Sequence, residues 1–390
     1  MLRISDAQRR ARLVTRHGLT PGHRFATVEQ ATRALVALHA TDPATIALEA
    51  WARVDGFRAA DLERALYEDR TLLKHMAMRR TLFVIATEHL PIVQAGASDR
   101  VAVSERGRIA RDVEKAGLHD DGAAWLAQAE ADVLAALAGG RIASAKELRA
   151  ELASLEGSIP YGAGKSWGGD VPFAPRVLTA LSASGQILRA ANDGTWTTSR
   201  PRWGSMQAWL GEPLVTPSFA EGTAALVAGW LRAFGPGTTT DLKWWLGSTV
   251  AAVKAALATL EAVPVQLENG ESGWVLPDDT AELEAPEPAA ALLPGLDLTT
   301  MAWKSRDFYL GPHAPLIFDR VGNGGPTAWW DGRIVGGWRP VDDGGIELQL
   351  LEDPGAQARR ALEAEAGRLA EWRDGVKLPM RFPSPLSKAP

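Results

Sequence analysis

The sequence predicts a mainly helical α+β fold, and three observations carry that expectation. Apolar residues recur at helical spacing behind capping residues through most of the first 260 positions. A block of helix, short helix, helix and two-stranded hairpin occurs near residues 123–198 and again near 219–276. From residue 291 strand-like runs take over, and they end in one amphipathic helix, Ala356 to Trp372. A chain of 390 residues has room for two to four domains.

Ser5 to His17 reads as the first helix, with Ser5 and Gln8 as a capping box. Thr27 and Gln30 form a second box before a helix carrying Ala31, Leu35 and Leu38. Asp42 followed by Pro43 suits an N-cap and a first helical residue. The helix they start, Ala44 to Val54, places Ile46, Ala47, Ala50, Trp51 and Val54 on one side. Leu38-His39-Ala40-Thr41-Asp42-Pro43 is therefore a helix-to-helix junction, and the helix N-terminus there favours negative charge. Ala59 to Glu68 is a short helix, and the run Leu72 to Ile85 leads into a strand. Thr87 is placed to cap a further helix, and Arg100, Arg106, Arg108 and Arg111 follow as a basic stretch with little apolar content.

In the first copy of the block, helix Ala123 to Ala138 stops at Gly139-Gly140, and Ser144 with Glu147 caps a short helix. A Gly- and Pro-rich loop then covers 157–172, and Ala174 to Ala183 is helical. Strands Gln186 to Ala190 and Thr195 to Thr198 flank Asn192-Asp193-Gly194. In the second copy, helix Phe219 to Phe234 stops at Gly235-Pro236-Gly237, and helices Asp241 to Leu246 and Thr249 to Leu260 follow. Strands Val263 to Leu267 and Gly273 to Leu276 flank the turn Asn269-Gly270. This order is that of a winged helix-turn-helix, and Val28 to Ile85 reads as a third, more diverged copy. Such small units bury little on their own, so neighbours are expected to pack together. Residues 278–289, acidic and Pro-rich, read as a linker. Thr327 to Trp330 and Arg333 to Trp338 flank Asp331-Gly332, a strong hairpin signal, and Ile346 to Leu351 is another strand. The expected divisions are 1–118, 119–205, 206–283 and 284–375, with a loose tail at 376–390.

The net charge of −5 argues mildly against nucleic acid, but it is unevenly spread. Residues 1–120 hold 19 Lys+Arg against 15 Asp+Glu, and residues 121–390 hold 23 against 32, so the N-terminal third is the basic part. Arg supplies nearly all of that charge, and its planar fork suits phosphate. Without Cys there is neither a disulfide nor a thiolate site. The seven His lack metal-ligand spacing, so neither a metal nor another cofactor is expected. With no membrane-length apolar run and no signal-peptide core, the protein is expected to be cytoplasmic. Most of the fifteen Trp are expected to be core anchors.

Five sets of strings, met in order from about residue 5 to 375, carry a resemblance. They are Leu38-His39-Ala40-Thr41-Asp42-Pro43 with Trp51-Ala52-Arg53; Met78-Arg79-Arg80-Thr81-Leu82-Phe83; Phe234-Gly235-Pro236-Gly237-Thr238-Thr239-Thr240-Asp241-Leu242 with Trp244-Trp245-Leu246-Gly247; Leu293-Pro294-Gly295-Leu296-Asp297; and Asp331-Gly332-Arg333-Ile334-Val335-Gly336-Gly337-Trp338. Together they resemble the winged-helix DNA glycosylases that unhook alkylated and cross-linked bases. The resemblance implies three tandem winged helices in a C-shape, a β-rich C-terminal part, and double-stranded DNA held in the concave face of a monomer. Where that family carries Gln-x-Gln or Gln-x-Asp, this chain has His39 and Thr41. It has Arg80 where the family tends to have Gly, and Phe83 where it tends to have His.

Release of a cationic alkylated base needs little acid catalysis. The site must stabilise an oxocarbenium-like sugar and set a water against the anomeric carbon. At the family's catalytic position, a neutral His39 would orient that water and accept its proton. Thr41 would hold the water or a phosphate oxygen, and an ionised Asp42 would offset the developing positive charge. On residue type alone the three are more often a junction histidine, a backbone-bonded hydroxyl and an N-cap, and it is the family position that raises His39 and Thr41 as site residues. Arg79, Arg80, Thr81, Arg100, Arg106, Arg108 and Arg333 are the candidate DNA contacts, or else parts of a solvated basic surface. No amine nucleophile is evident at the junction, so a water-using monofunctional enzyme is expected over a Schiff-base enzyme. Two other classes stay open: a DNA-binding protein without catalysis, and a scaffold for another partner.

Overall fold

The computed structural model describes residues 2–161 and 169–388. Strand β1 (Leu2–Ile4) and helix α1 (Asp6–Arg16) come first. The first unit comprises α2 (Val28–Ala34), β2 (Leu38–His39), α3 (Pro43–Arg53), α4 (Ala59–Tyr67) and the hairpin β3 (Leu72–Met76) and β4 (Leu82–Ala86). Helices α5 (Leu90–Val93) and α6 (Asp99–Lys115) lead to the second unit. That unit is α7 (Gly122–Ala136), β5 (Ala143–Ser144), α8 (Ala145–Glu151), a side hairpin β6 (Ser158–Tyr161) and β7 (Gly169–Pro172), α9 (Ala174–Ala183), β8 (Ile187–Asn192) and β9 (Pro201–Ser205). After α10 (Met206–Leu210), the third unit is α11 (Phe219–Phe234), α12 (Thr239–Leu246), α13 (Val250–Thr259), β10 (Val263–Leu267) and β11 (Ser272–Val275). The C-terminal part holds β12 (Ala290–Leu293), α14 (Leu298–Met301), α15 (Asp307–Leu310), α16 (Ala314–Ile317), β13 (Thr327–Trp330), β14 (Arg333–Pro340), β15 (Ile346–Leu350) and α17 (Ala356–Trp372). The fold is mixed α and β and mainly helical. Residues 162–168 of the Gly- and Pro-rich loop lie outside the described residues.

One order recurs in the three units: helix, short strand, two helices, hairpin. The short strand pairs with the last strand of the hairpin, giving sheets β2-β4-β3 and β5-β9-β8. In the third unit a single bridge, Gly237 to Trp274, takes the short strand's place, and β1 adds in parallel to β10. The helix starts follow side-chain chemistry. Ser144, Ser218 and Thr238 each accept from the backbone N–H three residues on, and the Glu or Asp there reaches back to the cap. The C-terminal strands form one sheet, β12-β13-β14-β15, with α17 packed on it. Its Asp331-Gly332 turn has positive φ at both residues, 48° and 73°, as a two-residue hairpin requires.

A single core joins α1, the first and third units and the C-terminal part, with Trp230, Trp245, Trp303 and Trp329 fully buried in it. The second unit has its own core around Leu126, Val133, Phe173, Val177 and Leu181, to which α6 adds Ile109 and Val113. The segment read as a linker is strapped to α1. Arg12 and Arg16 pair with Asp279 at 2.8 and 2.5 Å, and Gln8 bonds the Leu283 backbone through both its amide atoms.

Several elements differ from the sequence expectation. Leu72 to Ile85 is a hairpin, turned by a tight helical turn Met78–Arg80 in which Arg79 and Arg80 have φ of 53° and 60°. No Gly marks that turn, so its left-handed residues are hidden in sequence. The basic stretch is the helix α6, whose buried stripe is only Ala102, Glu105, Ile109 and Val113. Thr87 caps no helix, because its hydroxyl donates to the Arg70 carbonyl. Thr195 to Thr198 is no strand. Its hydroxyls bond one another, the Asn192 amide closes the loop, and the strand is β9. The tail expected to be loose packs back, with Ser384 buried against Gly325. Among the described residues, no helix is long and apolar enough to cross a membrane.

Candidate catalytic junction and nucleic-acid interface

Three residues separate β2 from α3, and the cap of that helix is among them. Asp42 accepts from the Ala44 N–H at 3.2 Å and Pro43 opens the helix, while Leu38 and His39 are extended and pair with β4. His39 lies opposite Phe83, and Phe83 opposite His75, so the three share one face of the sheet. The His39 and Phe83 rings meet edge-on at 5.7 Å. The His39 N–H donates to Glu49 Oε2 at 2.7 Å, and the Leu298 N–H donates to Glu49 Oε1 at 2.6 Å. Glu49, fully buried on α3, thereby ties the junction to the C-terminal part; burial and Asp297 hold its carboxyl well above the usual range. One helical turn on, Arg53 forks onto Asp297 at 2.9 and 2.7 Å and reaches Thr299 at 2.8 Å.

His39 is 6% exposed, and its Nδ1 is buried without a partner. Burial, and then the charge of Arg79, push the imidazole down to about 3, so it is neutral at physiological pH. Thr41 is exposed beside it. Burial raises the Asp42 carboxyl, opposed by the Ala44 N–H and by Arg381, whose Nε lies 3.5 Å away.

Arg79 connects this junction to a basic cleft. Its guanidinium stacks 3.8 Å from the Trp244 ring centre, and Arg306 lies 5.2 Å from the same ring. Gly247, left-handed at the end of α12, packs on the Arg79 backbone; a Cβ there would sit 3.2 Å from the Arg79 nitrogen. Arg100 donates to the Gly247 and Leu246 carbonyls at 2.7 and 3.3 Å. Arg80 forks onto Glu105 at 2.6 and 2.9 Å, and Arg108 reaches the same carboxylate at 3.2 Å. Arg79, Arg80, Arg100 and Arg108 line a cleft of about 350 Å³ in which, among the described residues, Glu105 is the one carboxylate. The Nε atoms of Arg79 and Arg100 are buried without partners, and burial lowers Arg79 to about 10. Four cations around one carboxylate make an anion-attracting cleft.

The other candidates stand apart from it. Thr81 closes the hairpin turn through its backbone, with its carbonyl accepting from the Ala77 N–H at 2.9 Å. Arg106 pairs with Glu130 at 2.7 Å and bonds Ser184, which holds α6 to α7. Arg333 pairs with Glu352 at 3.4 Å beside a turn whose Gly332 abuts α1. Sequence reasoning missed Glu49, Trp244, Gly247, Arg306 and Arg381. The adjacent Trp244 and Trp245 carried one usable signal, since neighbours on a helix face different ways: Trp245 is core, while Trp244 is partly exposed under Arg79.

The quoted strings therefore meet in space. Trp51-Ala52-Arg53 joins Leu293 to Asp297 through the Arg53–Asp297 pair, and Met78 to Phe83 joins Trp244 to Gly247 through Arg79. Comparison with known proteins agrees. The family described as DNA glycosylase AlkZ-like matches residues 32–372. The solved Streptomyces sahachiroi DNA glycosylase AlkZ is similar over 98% of this chain and 99% of that chain, with a TM-score of 0.75 at 19% identity, so the fold is shared. No curated protein sequence matches the chain. With 32–372 covered by the family pattern, the chain belongs to the AlkZ-like DNA glycosylase family.

Proposed function

We propose that the protein is a monofunctional DNA glycosylase that releases alkylated or cross-linked bases from duplex DNA, acting as a cytoplasmic monomer built on three winged helices. The observation that carries this reading is a neutral His39 beside an arginine cleft, the two connected by Arg79. The cationic base leaves with its bonding electrons, and the sugar becomes oxocarbenium-like. Arg79, Arg80, Arg100 and Arg108 hold backbone phosphates. The uncharged imidazole of His39 orients a water towards the anomeric carbon and takes up its proton, with the exposed Thr41 hydroxyl as a second contact. Asp42 supplies negative charge close to the sugar.

A non-catalytic DNA-binding reading is favoured by two observations: the family's Gln-x-Gln or Gln-x-Asp is replaced by His39 and Thr41, and the His39 Nδ1 is sealed from solvent. Two assays test these readings together. Binding to an N7-alkylated duplex should weaken steeply with salt, and Arg79→Ala with Arg80→Ala should flatten the log–log slope by about 1–2. Wild type should release free base from that duplex. Salt-sensitive binding without release would favour the second reading, and no binding at low salt would remove both.

A further inference from the structure

Lys74 follows the opposite face of β3 from His75, and so faces away from the His39 row. Its Nζ donates to the Tyr67 hydroxyl at 3.2 Å and lies 5.7 Å from that ring's centre, at the end of α4. Strand β8 of the second unit packs against β3 here and brings Arg189. Arg189's charge acts on both Lys74 and Tyr67. Its guanidinium is 5.1 Å from the Trp203 ring centre, and its Nε is buried without a partner. Glu63 on α4 is the carboxylate that acts on this group, and it pairs with neither cation. Among the described residues neither Lys74 nor Arg189 has a carboxylate within ion-pair distance.

Recessed cations are ordinarily paired, because burial costs them their hydration. Here two of them share a joint between units with a phenol. Two Nζ protons, the guanidinium N–H groups and the Tyr67 O–H proton remain to be given. Burial pushes Lys74 down to about 8, as expected of an ammonium lacking a counter-ion.

We propose that Lys74, Arg189 and Tyr67 form an anion site for a phosphate-class oxyanion at the joint between the first and second units, separate from the Arg79 cleft. The oxyanion is either free phosphate or a phosphodiester of bound DNA; the second source rests on the DNA reading above, and the site itself does not.

The probe is inorganic phosphate, titrated at constant ionic strength against chloride while the thermal midpoint of the full chain is followed. Wild type should show a saturable rise. Lys74→Gln should need about tenfold more phosphate for half the rise, matching one lost charge-assisted hydrogen bond. Lys74→Met with Arg189→Met should show no saturable rise. In wild type the rise should shrink above pH 8 as Lys74 loses its proton. A duplex arm separates the sources. A shallower salt slope for DNA binding in the double variant assigns the site to the DNA backbone; an unchanged slope, with the phosphate rise present in wild type and lost in the double variant, assigns it to free anion. Wild type and double variant behaving alike in both the phosphate and duplex arms would overturn the proposal.

Discussion

Asp42 and Arg381 meet across the chain, 339 positions apart, and nothing in either neighbourhood announces the pair. Burial raises the Asp42 carboxyl, and Arg381 works against that rise. If ionised Asp42 offsets charge on the sugar, base release should fall on the acid side as Asp42 takes up a proton. Arg381→Ala removes a cation that favours the carboxylate, so that limb should move to higher pH, while Arg381→Lys should restore most of its position. Single-turnover rates across pH 4–8 check this, and an unmoved limb would detach Asp42 from the chemistry. His39, Thr41 and Asp42 could be proposed from sequence because the Asp42-Pro43 cap marks a junction that groups them. Glu49 was not, since a carboxylate on a helix reads as solvated until two backbone N–H groups are found on it.

The β3–β4 hairpin is the element that places Arg79 and Arg80, and it does so with two non-glycine residues in left-handed geometry. Such backbone strain persists only where surroundings hold it, here the Trp244 stack and the Glu105 fork. Arg80→Gly relieves the backbone while deleting the fork, so stability should stay within about 1 kcal/mol of wild type. DNA affinity should fall and the salt slope flatten by about one unit. Denaturant midpoints and salt titrations separate the two effects; a large stability loss with unchanged DNA binding would make Arg80 purely structural. Elements with caps and stop signals were readable: Ser144 starts its helix, and Asp331-Gly332 turns its hairpin. Those lacking them were misread, the hairpin at Arg79 for want of Gly and α6 for its thin apolar stripe.

At the scale of the molecule, the recurrence of helix, short helix, helix and hairpin was read twice in sequence and once more in a diverged form, while the short strand after the first helix was not read. The sharing of one core by the first unit, the third unit and the C-terminal part was not read either. That core is closed by partners such as Arg53 and Asp297, fully buried and 244 positions apart, which periodicity cannot connect. Asp297→Ala leaves the Arg53 guanidinium buried with Thr299 and the Glu49 carbonyl as its remaining partners. It should cost about 3–5 kcal/mol of unfolding free energy, read from urea denaturation. The same substitution should loosen Leu298 and, through Glu49, the His39 strand, so hydrogen exchange at the His39 amide should speed up. A loss below about 1 kcal/mol would mean the pair is not what holds the junction to the C-terminal part.

The central claim is that a neutral, buried His39 performs the chemistry. It is tested most directly by single-turnover release of free base from an N7-alkylated duplex, with wild type, His39→Ala and Thr41→Ala compared at saturating protein. His39→Ala should lower the rate about 10²–10⁴-fold while DNA affinity stays nearly intact, as loss of a general base acting in the transition state requires. Thr41→Ala should cost less, because a second water can replace its hydroxyl. With its imidazole held down at about 3, His39 should contribute no acid limb between pH 5 and 8. Equal release by all three proteins would contradict the account, as would a limb near the ordinary histidine range that disappears in His39→Ala.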